Sequence, residues 1–287
     1  MRLVKTLIRE LSAVLQIGGW RCFMSYVGQI LYNAPAIAKS KSLAPADSGM
    51  IGGRYTFRSF GQNIFLDGAL FGGAREIYGR KVYFALPDFH LRSTDVVVDL
   101  GANAGVFSVL AGRLVRKVIA VEAQSRFIDN LLINIKNNNC SDRVCVEFGL
   151  IGSGSGVFSD VRNLVSASHY KEHPSPISME DIIFHHGLKV INFHKIDIEG
   201  SEFNLINNNL EWITYVEKIA MEVHTEFGDP NKISEILKSK SFDVFLVDND
   251  QNIVENIHGK SGYIFAKRND ITDIEQLLGE KKPFILP

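Results

Sequence analysis

Residues 94–123 read TDVVVDLGANAGVFSVLAGRLVRKVIAVEA, and their pattern decides the fold. Val96, Val97 and Val98 form an apolar, β-branched run without alternation, which suits a parallel strand buried on both faces. The run stops at Asp99. Gly101-Ala102-Asn103-Ala104-Gly105 then makes a short glycine turn, after which Val106, Val109, Leu110, Leu114 and Val115 recur at helical spacing. A second buried run, Val118-Ile119-Ala120-Val121, ends at Glu122. The stretch reads as a βαβ unit with an acid closing each strand.

Open α/β sheets bind ligands in the crevice beyond the carboxyl ends of their strands, and glycines there let a ligand approach the backbone. The G-x-x-x-G spacing of Gly101 and Gly105 departs from the dinucleotide pattern, and Asp99 would repel a pyrophosphate. An acid in that place suits a ligand carrying an ammonium or sulfonium, as S-adenosylmethionine does. Glu122 is placed to accept hydrogen bonds from both ribose hydroxyls. The competing reading is that the glycines only shape a turn and the acids only cap helices. The candidate cofactor contacts are Asp99, Gly101, Ala102, Asn103, Gly105, Glu122 and Ala123.

DLGANAG at 99–105 followed by VIAVEA at 118–123 resembles the first two motifs of class I S-adenosylmethionine-dependent methyltransferases. KIDIEGSE at 195–202 is similar to the K-I-D-x-E-G-x-E signature of the FkbM family, and is the more specific of the two. The resemblance covers roughly residues 78–267. It implies a doubly wound, seven-stranded Rossmann-like α/β sheet whose last strand is antiparallel, and an adenine bordered by Leu150 or Ile151. It also implies oxygen as the methyl acceptor, a hydroxyl of a sugar in a polysaccharide, glycolipid or glycosylated natural product.

At 287 residues and 46% hydrophobic content, the chain can bury one substantial core with an appendage. A formal net charge of -1, without a basic block or zinc-finger spacing, argues against a nucleic-acid binder. Cys22, Cys140 and Cys145 contain no C-x-x-C pair, so neither a disulfide framework nor a thiolate metal site is indicated, and a reducing cytoplasm is the simpler setting.

Three regions follow: a helical arm and linker at 1–53, a short β lead-in or flap at 54–91, and the methyltransferase domain at 92–287. In the arm, Leu3, Val4, Leu7, Ile8, Leu11, Val14 and Leu15 fall at helical spacing. A second apolar segment follows Gly18-Gly19, and its charge-free span, 22–38, is 17 residues, at the lower limit for crossing a bilayer. Two readings stand: peripheral contact with an anionic membrane, or packing on the rest of the chain or on a second subunit. In the lead-in, residues 55–57, 64–66 and 81–84 look like short strands, and Arg75 is read as an ion-pair partner more readily than a substrate contact. Further on, Ser125 looks like a helix cap, the 152–156 glycine-serine run like a loop tip, and His169 and His173 like solvent-facing loop residues. Ser178 with Asp181 resembles a capping box, and Asp248-Asn249-Asp250 lacks the rest of a calcium loop and is a turn.

The chemistry concentrates downstream. Residues 191–197 predict a strand that delivers Asp197 to the same sheet edge as Asp99 and Glu122, which makes Asp197 a candidate cofactor contact as well. Residues 219–224 predict another, on which Glu222 and His224 share a face. Asp197, Glu199, Glu222 and His224 are the candidate catalytic residues; Glu202 is read as an acid suiting a helix dipole. A sugar hydroxyl needs a positioned base or a metal that lowers its pKa. His224 or Asp197 could be that base, and Asp197, Glu222 and His224 could hold magnesium, but nothing in the spacing requires a metal and base catalysis alone is preferred. Outside catalysis, the chain could be a silent cofactor-binding relative or a partner that tethers an active subunit to a membrane.

Overall fold

The apolar spacing of the arm predicts helix, and helix is what forms. The computed structural model describes residues 2–152, 174–208 and 210–269, so His169, His173 and the glycine-serine run beyond Gly152 lie outside it. The arm comprises α1 (Arg2–Tyr32), kinked at Gly19, then α2 (Ala34–Ser40) and α3 (Ala44–Ser48). No helix among the described residues is long and apolar enough to cross a membrane. One face of α1 buries Val14, Ile17, Cys22 and Tyr26 against the rest of the chain.

The lead-in begins as the expected hairpin, β1 (Arg54–Ser59) against β2 (Gln62–Asp67), closed by Phe60-Gly61. Its third expected strand does not form. A short helix, α4 (Phe71–Ala74), runs on as a π-helical turn, Arg75–Arg80, and residues Val82–Phe84 make a 3₁₀ turn. Val82, Tyr83 and Phe84 are all buried, which an alternating strand at the surface would not permit. The π-helical turn is clamped to the arm. Arg75 grips Asp47 through two nitrogens, at 3.1 and 2.9 Å, and also pairs with the buried Glu10, while Tyr26 donates to Asp47 at 2.8 Å. Arg75 is thus an ion-pair residue, with partners from the arm in place of its neighbour Glu76.

The βαβ unit follows as read: β3 (Val96–Leu100), α5 (Val106–Leu114) and β4 (Lys117–Glu122). Then come α6 (Ser125–Asn137), β5 (Val144–Phe148), α7 (Met179–His186), β6 (Phe193–Ile196), α8 (Glu202–Asn207), β7 (Lys218–His224), α9 (Pro230–Ser239), β8 (Phe242–Val247), β9 (Ile253–Val254) and β10 (Ser261–Arg268). Gln124, not Ser125, takes the cap position of α6, whereas the Ser178–Asp181 capping box on α7 is present in full.

The strands order as β5-β4-β3-β6-β7-β10-β8-β9. β3 to β7 pair in parallel and β10 runs antiparallel to both β7 and β8. The sheet is therefore doubly wound and Rossmann-like, as expected, with two-residue β9 making an eighth strand at one edge. Alternation sorts each strand onto two cores. Val97, Val118, Ala120, Phe193 and Ala220 face the arm, hairpin and α5, while Val96, Val98, Ile119, Ile196 and Ile219 face the other layer, which includes Ile182, Ile206 and Ile233 of α7, α8 and α9. The chain leaves β3 toward β4 on one side and returns with β6 on the other. That reversal is the switch point where such sheets open a crevice.

Candidate active site

At the switch point the ends of β3 and β6 are in direct contact. Gly101 sits at φ +73°, and a Cβ on it would come 1.8 Å from the Asp197 carbonyl oxygen. Only glycine fits that place. Lys195 locks the junction from beneath: its buried ammonium donates to the carbonyls of Leu100 at 3.1 Å and Gly101 at 2.8 Å and pairs with Asp99 at 3.0 Å. Burial alone would push this ammonium down, but Asp99 and Asp197 outweigh it and hold it above the usual lysine range.

Asp99 does not reach the crevice. It faces the α5 layer, fully buried, where Ser108 donates to it at 2.5 Å and Lys195 stands directly across in register. The expected contact with a cationic ligand fails here because strand parity turns the carboxylate under α5 and a lysine neutralises it. Gly105 also withdraws: it starts α5 and packs on Leu131.

The crevice itself is lined by Gly101, Asn103, Glu122, Ala123, Leu150, Ile151, Asp197 and Glu199, together with Val121 and Ser201. Glu122 accepts the backbone N–H groups of Asn103 at 2.6 Å and Gln124 at 2.7 Å, one on each oxygen. Burial raises its pKa while those two bonds oppose the rise. A second lone pair on each oxygen is left for a diol. Ser201 adds a buried hydroxyl with no partner among the described residues.

A second chamber of about 300 Å³ adjoins the first across Gly101, Asn103 and Asp197. Its walls include Glu76, Tyr83, Ala102, Phe107, Lys195 and Glu222. Ala102 therefore belongs to this side. Tyr83 donates to Asp197 Oδ2 at 2.8 Å, fixing the carboxylate that stands between the chambers. Glu222 is pushed up to about 8, first by burial and then by the Asp197 and Glu76 charges, so it holds or releases a proton near neutrality.

His224, offered by the sequence together with Asp197 as a base, is held between two carboxylates. Nδ1 meets Glu202 at 3.2 Å and Nε2 meets Glu199 at 3.4 Å. These carboxylates overcome burial and push the imidazole up to about 9, so it is a cation at neutral pH. Glu202 is likewise more than a helix-start acid: it is fully buried and also accepts the Ile198 N–H at 3.1 Å. Asp197, Glu202 and His224 each offer an atom within 4.8 Å of the others.

Tyr83, Lys195 and Glu202 are residues of the site that sequence reading did not single out. The one legible signal was for Lys195, which opens the KIDIEGSE stretch and lies in a buried strand, where a charge needs a partner.

A scan against protein-family models and a search of curated proteins find no match. Among solved structures, the chain is similar to the METTL16 methyltransferase domain at 12% identity, over 67% of this chain and 67% of that one, with a TM-score of 0.44. It is similar to precorrin-6y C5,15-methyltransferase from Geobacter metallireducens at 12% identity, over 67% and 88%, with a TM-score of 0.42. An rRNA methylase from Streptococcus thermophilus is similar at 11% identity, over 67% and 95%, with a TM-score of 0.42. Strand order, and not these likenesses, makes the sheet a doubly wound, Rossmann-like one.

Proposed function

We propose that the protein is an S-adenosylmethionine-dependent O-methyltransferase of the FkbM kind, acting on a sugar hydroxyl. One observation carries the reading: Asp197, held by Tyr83, stands between a crevice suited to the cofactor and a chamber containing a near-neutral carboxylate, Glu222. The crevice residues fit the cofactor by their chemistry. Leu150, Ile151 and Val121 offer an apolar wall for a flat ring, Glu122 offers two acceptors for a ribose diol, and Asp197 and Glu199 offer negative charge to a cation. When bound, the cofactor supplies an electrophilic methyl group on a sulfonium.

The chain's own residues would do the rest. Glu222, as a carboxylate, takes the proton from an acceptor hydroxyl in the second chamber, and Asp197 orients that hydroxyl. Lys195 and Gly101 hold the junction rigid, while Tyr83 and Phe107 exclude water from it. The oxygen acceptor and the sugar class rest on the resemblance of KIDIEGSE at 195–202. Calorimetric titration with S-adenosylhomocysteine tests the cofactor: binding by the full chain, weakened by about tenfold or more in Glu122→Ala, is expected. No heat with the full chain would remove the reading. Transfer of labelled methyl to a panel of glycans tests the acceptor.

A further inference from the structure

Helix α1 is apolar on two faces, and among the described residues only one of them is packed into the core. Beyond the Gly19 kink, Cys22, Tyr26 and Ile30 point into the core or pack against it. Trp20, Met24, Val27 and Leu31 follow one another at spacings of four, three and four, and so form a stripe on the opposite side of the helix. Trp20 is 64% exposed, Met24 48% and Leu31 71%, and Tyr32 beside them is 85% exposed. Trp20 stacks with Phe23 at 5.4 Å, widening the aromatic end of the stripe. α2 continues the surface with Ala34, Pro35, Ala36 and Ala38, all exposed.

An apolar stripe of this size on a solvent face needs an occupant. The charges around it say which. Residues 11–46 contain no acid, and their basic groups, Arg21, Lys39 and Lys41, are all exposed. The chain as a whole has a formal net charge of -1, so this surface is positive against an acidic remainder. A second copy docking by the same face would bring two sets of these cations together across a two-fold contact, which like charges oppose. An anionic lipid surface meets both requirements: its acyl boundary takes the stripe and its headgroups take the lysines and arginine.

We propose that the outward face of α1 and α2 docks the protein in the plane of an anionic membrane, with Trp20, Met24, Leu31 and Tyr32 inserted and Arg21, Lys39 and Lys41 at the headgroups. The opposite face of α1, tied through Glu10 and Tyr26 to Arg75 and Asp47, holds the sheet rigidly above that plane. This mode of attachment lies across the surface and spans nothing. It is independent of the reaction assigned to the crevice.

Flotation of the full chain with vesicles of phosphatidylcholine, with and without phosphatidylserine, tests it. Binding is expected only with phosphatidylserine, weakening as salt rises. The triple variant Trp20→Glu, Met24→Glu, Leu31→Glu is expected to lose flotation while melting at the wild-type temperature, since all three side chains face solvent. Replacing Lys39 and Lys41 by Gln is expected to weaken binding by about fivefold per residue. Equal binding to neutral vesicles, or no binding to either kind, overturns the proposal. So does a concentration-dependent dimer in sedimentation that the triple variant abolishes, since that would assign the stripe to a second copy.

Discussion

Glu222 lies on β7 where strand parity turns it toward the arm, in register with Tyr263 of β10 and under the influence of Asp197 and Glu76. Its proton is held to about pH 8 because burial and two like charges both disfavour the carboxylate. Catalysis by that carboxylate has a definite pH signature: the rate rises with pH through about 8 and then levels. Glu222→Gln is expected to lower turnover by about 10²- to 10⁴-fold, leave S-adenosylhomocysteine binding intact and abolish that rising limb. Stability moves the other way. A folded-state pKa above the unfolded value gives stability that is fully present below the ordinary carboxylate range and is lost as pH climbs through about 8. Glutamine carries no such loss, so the variant is expected to melt above the wild type at pH 9 and to converge with it in acid. Parallel melting curves for the two proteins across the pH range would show that the shifted proton is not on Glu222.

The glycine turn between β3 and α5 is an element whose sequence, backbone and neighbour all agree. Gly101→Ala places a methyl against the Asp197 carbonyl at a φ that side chains avoid, and is expected to cost more than about 1–3 kcal/mol and to remove cofactor binding. Gly187→Ala is the control: it also has positive φ, but its Cβ would meet open space at the end of α7, so it should cost about 1 kcal/mol and leave binding alone. Urea melts and calorimetry of the pair separate a local clash from general backbone strain. Elements of this kind are legible in sequence because their signals are local: residues 94–123 carry strand, turn and helix periodicity within one short window. Val82–Phe84 was misread because three consecutive apolar residues fit a strand by propensity, whereas tertiary burial on all sides selects a 3₁₀ turn. Tyr83 and Glu202 escaped for a different reason. Their meaning depends on partners distant along the chain, Asp197 and His224, and no periodicity encodes such meetings. Asp99 was over-read from the glycine motif, since only the register of β3 against β6 shows Lys195 opposite it.

At the scale of the molecule, the arm is part of the core. Val14, Ile17, Cys22 and Tyr26 share one apolar cluster with Phe71, Tyr78, Phe107 and Phe193, so hairpin, π-helical turn and sheet all lean on α1. Burying each large side chain is worth about 1.5–3 kcal/mol, and the whole domain has only about 5–15 kcal/mol to lose. Removing residues 1–48 would also strip both acids from Arg75 and Glu10 from Arg80, leaving guanidinium groups in a partly buried site. The truncated chain is therefore expected to fail to fold cooperatively, showing no sharp thermal transition and binding a hydrophobic dye at 25 °C. Loss of activity or of lipid binding in such a truncation would then reflect a broken core, which is why surface substitutions on the outward stripe are the cleaner probe of the proposed membrane face. A truncated chain that melts sharply near the wild-type temperature would show instead that the sheet stands on its own and that the arm adds attachment without support.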